Sequence, residues 1–280
     1  MKSGVVYYIR YGAWRRPLVC HMERILPMKK VISLLPAVLL GAVGFLLRWS
    51  QVRSAFDAQT GLAVPSALHL LLAVWVVVTA VLLALWFRKM PKIAEGAAAA
   101  FRCPDGAELM VLIGGAFLYL AAGAWQILGA ETGFAWRLLG ALGVLAGVSL
   151  LAAVFQWRRG GQMGNLLLVP VLLNVMWLLV TYRNHADDPV TERYFLPILA
   201  MAALTYAFFQ LAALCFSAGR RRRALVFAAL ALALSIAALG DAGDLAELGY
   251  WAGGILSMGG FLLCARGPEE VPEEEEEAEE

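Results

Sequence analysis

Long apolar blocks alternate along the chain with short polar connections, and each block is free of charge over about the length that a helix needs to cross a bilayer. The blocks run Val31 to Leu47, Pro65 to Phe87, Leu109 to Leu128, Leu138 to Trp157, Leu166 to Tyr182, Phe195 to Phe216, Ala224 to Gly240 and Leu248 to Ala265. About 20 apolar residues wound as α-helix match the ~30 Å hydrocarbon layer, and a helix satisfies its own backbone polar groups in lipid. The other membrane solution, a closed barrel, needs roughly ten-residue strands of alternating polarity, a pattern absent here. The sequence therefore predicts an all-α membrane protein, a polytopic bundle of about eight transmembrane helices. Short connections make antiparallel neighbours, hence four hairpins. The first, fifth and seventh blocks are short, so six to eight spans fit the pattern, and the Ala- and Leu-rich seventh is the weakest.

Composition agrees with this and adds a direction. Of 280 residues, 61% are hydrophobic and 16% charged, against about 25% charged in soluble domains, and a water-soluble core cannot absorb that apolar surface. With eight spans, 18 of the 23 Lys and Arg residues fall on one side of the membrane, leaving Arg48, Arg53, Arg137, Arg183 and Arg193 on the other. Positive residues resist translocation, which puts both termini in the cytoplasm. Cys20, Cys103, Cys215 and Cys264 all fall on or near that same side, where disulfides do not persist. Trp49, Trp86, Trp136, Trp157 and Trp251 sit near span ends, as interfacial aromatics do.

Three regions follow. Residues 1–30 are basic and aromatic; they either lie on an anionic inner leaflet or precede a start at Met28. Residues 31–265 hold the transmembrane domain, and residues 266–280 form an acidic tail whose self-repulsion predicts disorder. The run Arg220 to Arg223 anchors a short loop against anionic headgroups, and nothing in it points to nucleic acid. The pairs Gly143/Gly147 and Gly249/Gly253 have GxxxG spacing, which packing within the bundle explains better than a dimer face.

Much chemistry is excluded. Asp, Glu, Lys and Arg are absent from the eight blocks, which disfavours a pump or proton-coupled carrier built on a central carboxylate. His69 lies only about a turn inside the second span, and His21 and His185 lie outside spans, so paired haem-ligating histidines are missing. There is no HExxH, no intramembrane GxSxG and no phosphate-binding loop. Asp241 and Asp244 fall in a turn, where chain reversal accounts for them. The expectation is a non-enzyme with no cofactor.

What polarity remains is concentrated in the third hairpin. Pro170, Asn174, Trp177 and Thr181 share one helical face of the fifth span, and Tyr206 and Gln210 are four apart in the sixth. These residues either face a ligand pathway or hold helices together by interhelical contacts. The following loop carries Arg183, His185, Asp187, Asp188, Glu192 and Arg193; with Arg48, Arg53 and Asp57 it is expected to form an outer vestibule or an ion-paired cap. Two adjacent loop aspartates read as turn residues more readily than as metal ligands.

Phe45-Leu46-Leu47-Arg48 with Phe56-Asp57 and Thr60-Gly61-Leu62, and Tyr182-Arg183 with Asp187-Asp188-Pro189-Val190, make the stretch from Met28 to Arg266 resemble uncharacterised multi-span membrane proteins of anaerobic bacteria. The resemblance implies a bacterial cytoplasmic membrane and no particular activity. Two functions fit: a permease-like or lipid-handling protein with a polar pathway beside spans five and six, or a non-catalytic membrane subunit or sensor scaffold. The scaffold would bind a partner protein, or another copy of itself, through cytoplasmic loops or the acidic tail.

Overall fold

The computed structural model describes residues 34–56, 62–88, 100–129, 133–186 and 191–265. Among these are eight α-helices: α1 Leu35–Ser54, α2 Ala67–Arg88, α3 Ala107–Leu128, α4 Phe134–Arg158, α5 Gly164–Asn184, α6 Thr191–Cys215, α7 Arg221–Ala238 and α8 Leu245–Leu263, with a 3-10 turn at Leu239–Asp241. Each of the eight apolar blocks corresponds to one helix. The basic N-terminal segment, Asp57, Asp187, Asp188 and the acidic tail lie outside the described residues, as does the side chain of Glu192.

The protein is a polytopic helical bundle in which each helix from α3 to α7 packs on the next and α8 fits between α7 and α3. The inner face of α8 also reaches the remaining helices: Trp251 packs on Trp177 of α5, Gly254 lies against Leu204 of α6, and Gly143 of α4 lies against Tyr250. The hairpin α1–α2 stands outside this group, docked mainly on α7.

Seven of the eight helices are long and apolar enough to cross a membrane, and the one that falls short is α8, not α7. Composition decides the inversion, since α7 is at least as buried as α8. A helix facing lipid must be apolar around its circumference, whereas one surrounded by protein can be small-sided and partly polar. The peripheral α2 has mean hydropathy 2.8 with only 28% of its span buried. By contrast α8 carries Glu247 and five glycines, and most of its residues are buried.

Those glycines set the helix spacing. A β-carbon on Gly123 of α3 would come within 2.5 Å of the Gly140 carbonyl and 2.6 Å of the Val144 amide of α4. One on Gly253 would meet the Tyr119 ring at 3.0 Å. The members of both GxxxG pairs therefore pack within one chain: Gly147 against Ala116 and Leu120, and Gly249 against Ala122.

One end of the bundle is sealed by the segment before α3. Phe101 bridges to Ala265, the Arg102 amide donates to the Cys264 carbonyl at 2.9 Å, and the Arg102 guanidinium donates to the Leu263 carbonyl at 2.7 Å. These bonds satisfy carbonyls that the C-terminus of α8 would otherwise leave open. Phe101, Trp157 and Phe261 stack over the same end. Cys103, Cys215 and Cys264 are free thiols there.

Candidate functional site

The opposite end is open. Where the sequence places the end of the first span at Leu47, α1 continues to Ser54 and carries Arg48 into the protein interior, fully buried. This corrects the expectation that Arg48 belongs to an outer loop. An isolated buried guanidinium is costly and must be paired. Arg48 donates to the Asp241 carboxylate, to the Arg193 carbonyl, and to Gln51 Oε1 at 2.7 Å. Gln51 Nε2 is 2.8 Å from Nδ1 of His69 on α2, whose ring meets Phe56 edge-on. Because arginine only donates, the Gln51 oxygen must face Arg48 and its amide nitrogen must face His69. Arg48 thus ties α1, the start of α6 and the α7–α8 turn together, and Gln51 extends the link to α2.

That junction borders a cavity of about 290 Å³ within the bundle. On one wall are Trp177, Thr181 and His185 of α5 with Arg193, Tyr194, Pro197 and Met201 of α6. Facing them are Asp241, Gly243 and Asp244 of the α7–α8 turn and Glu247 and Tyr250 of α8, while Gln126 of α3 and Trp136 of α4 complete the lining. Local structure places the acids. Asp244 is the N-cap of α8, accepting from the Glu247 amide at 2.6 Å, and Glu247 reaches back to accept from the Gly243 amide at 3.0 Å. The Asp244 bond is an N-cap, while Glu247 reaches one residue further back than in a capping box, to the amide that precedes the cap. The other Glu247 oxygen accepts from Trp251 Nε1 at 3.3 Å. His185 is held by Nδ1 on the Thr181 carbonyl at 2.8 Å, its ring 3.7 Å from that of Tyr194.

The cavity floor is aromatic. Trp177 lies 4.5 Å from Trp251 and 5.2 Å from Tyr250, and Tyr250 lies 6.2 Å from Tyr119. One turn deeper Asn174 is fully buried, donating from Nδ2 to the Pro170 carbonyl of its own helix at 2.7 Å. It does not line the cavity.

The face predicted on α5 is real: Pro170, Asn174, Trp177 and Thr181 are all buried. The pairing with α6 is not. Tyr206 is 38% exposed and packs edge-on against Phe227 of α7, so it faces outward. Gln210 is buried, but α6 runs back from its start beside the end of α5. With Gly164 against Cys215 and His185 against Tyr194, Asn174 is level with Thr205, which puts Gln210 about five residues, roughly 7 Å, beyond it. Among the expected vestibule residues, Arg193 and His185 line the cavity and Arg48 braces it from behind. Arg53 lies instead over the Trp49 ring at 4.0 Å, and Arg183 is exposed without lining the cavity.

Among the residues that sequence reasoning missed are Gln51, Gln126, Asp241, Asp244 and Glu247. A signal existed for one of them: Gln51 shares a face with Arg48 three residues before it, at the end of an apolar run, a place where a charge needs a partner. Trp251 also departs from expectation. It is fully buried in the bundle, whereas Trp49 and Trp86 are exposed at helix ends as interfacial residues should be.

Fold and site together define the class: an all-helical, multi-span membrane protein with a polar and aromatic cavity at one end. Comparison with protein-family models, with curated proteins and with solved structures finds no match to this chain.

Proposed function

We propose that this is a permease-like protein of a bacterial cytoplasmic membrane, with both termini cytoplasmic, that takes up a small ligand into the cavity beside α5 and α6. The observation that carries the reading is the cavity itself: about 290 Å³, lined by three carboxylates, a guanidinium and four aromatic rings at one end of the bundle. Its size is near the lower end of small-molecule sites, and its mixture of apolar wall and a few fixed polar groups is how such sites orient a ligand. Passage would require the floor formed by Trp177 and Tyr250 to part, exposing Asn174 and Tyr119 beneath.

That same floor supports a second reading. Trp177, Tyr250, Trp251 and Tyr119 are buried against one another, which suits a sensor or membrane subunit that binds its ligand without moving it.

Cysteine accessibility in nanodiscs separates the two. With native cysteines replaced by alanine, Thr181→Cys and Asn174→Cys are each exposed to a small water-soluble thiol reagent. Reaction at both positions supports a pathway. Reaction at 181 alone supports ligand binding without passage, and no reaction at either position overturns both readings.

A further inference from the structure

The cavity has a charge and shape that select one chemical class. Three carboxylates, Asp241, Asp244 and Glu247, belong to its lining, opposed by the guanidinium of Arg193 and, behind Asp241, that of Arg48. The carboxyl groups thus outnumber the guanidiniums three to two. Each carboxylate offers about four acceptor positions, and the bonds described above occupy only some of them. Four aromatic side chains, Trp136, Trp177, Tyr194 and Tyr250, share the lining. Their faces are electron-rich and attract cations, most strongly where water is excluded.

An independent feature points into the same space. Thr181 is 8% exposed, lines the cavity, and its hydroxyl makes no hydrogen bond among the described residues. In α6 the Thr205 hydroxyl bonds back to the Met201 carbonyl at 2.8 Å. Thr181 forgoes that common helical solution, which leaves its hydroxyl available to a ligand in the cavity that the residue lines.

We infer that the ligand is a small organic monocation, an amine or quaternary ammonium, held between the Asp244–Glu247 carboxylates and the aromatic walls with the Thr181 hydroxyl as an additional acceptor. This rests on the reading of the cavity as a ligand site. Arg193 is exposed at the cavity, where it disfavours a second positive charge, so a monocation is favoured over dications, and the carboxylates favour it over neutral and anionic molecules.

The test uses the full chain in nanodiscs and three probes of nearly one shape: choline, its uncharged carbon isostere 3,3-dimethylbutan-1-ol, and the zwitterion betaine. Binding is read by tryptophan fluorescence, through Trp136 and Trp177, and by calorimetry. Choline should bind at least about tenfold more tightly than the isostere, the scale of a desolvated cation–π contact. The double substitution Asp244→Asn with Glu247→Gln keeps the capping acceptors and removes two charges, and should weaken choline binding toward, though not fully to, the level of the isostere, since the aromatic walls remain. Equal binding of choline and isostere, or a preference for betaine, would overturn the cation assignment while leaving the cavity as a ligand site. If none of the three binds although Thr181→Cys reacts with the thiol reagent, the assignment also fails and the accessible cavity remains. Should the double variant lose its monodisperse elution, the wild-type probe series decides alone.

Discussion

Replacing Arg48 tests how the open end of the bundle is held. Arg48→Met keeps the length of the side chain and removes its charge and three hydrogen bonds, to Gln51, the Arg193 carbonyl and Asp241. Each bond to a charged group contributes about 1.5–3 kcal/mol, but the guanidinium also costs free energy to bury, and its Nε has no hydrogen-bond partner among the described residues to offset that. Breaking a buried pair from one side leaves the other charge uncompensated, which costs about 3–5 kcal/mol. Asp241 is only 14% exposed, so little solvent screening relieves it. Asp241→Asn should cost a comparable amount, now stranding Arg48. The double variant removes both charges and should be more stable than the sum of the singles implies, by about 2 kcal/mol or more. Arg48→Lys should fall between, because an ammonium cannot serve three acceptors in the geometry of a planar fork. The measurement is reversible unfolding in mixed micelles. Additive single effects, or a loss below about 1 kcal/mol for Arg48→Met, would refute the claim that this side chain joins the α1–α2 hairpin to the rest of the bundle.

Two further outcomes are expected. Gly123→Ala places a methyl against the backbone of α4, at 2.5 Å from the Gly140 carbonyl, and should destabilise by about 1–3 kcal/mol as overpacking does; Gly133→Ala, with nothing within 4 Å, should stay within about 0.5 kcal/mol in the same unfolding assay. Asp244→Ala removes the N-cap of α8 and should cost about 1 kcal/mol, whereas Asp244→Asn retains the acceptor and should cost a few tenths.

How much of this was legible in the chain depends on which force decides each feature. The eight helices were legible because lipid demands uninterrupted apolar runs, and the buried face through Pro170, Asn174 and Thr181 was legible because helical periodicity groups polar residues on one side. The end of α1 was not: hydropathy stops at Leu47, yet the helix continues to Ser54 since Arg48 meets Asp241, a partner 193 residues away. Tyr206 was misplaced for a related reason. Spacing of four residues puts it near the Gln210 face, but helix rotation is set by packing on α7, where Phe227 receives it at the surface.

The same division runs through the cavity. Thr181, His185 and Arg193 were visible as polar residues close together in sequence, while Asp241, Asp244 and Glu247 read as an ordinary turn and a helix cap, which locally they are. Only the packing of α8 into the bundle brings that turn opposite α5 and α6. The sequence by itself pointed to a membrane, to about eight helices and to the buried polar face of α5, because each of these follows from the transfer of one segment at a time between water and hydrocarbon. Tertiary structure decided which helix is innermost, where the buried charge finds its partner and which polar groups share a cavity. Those depend on contacts between segments far apart in the chain, set by close glycine packing and charge pairing that no single segment contains.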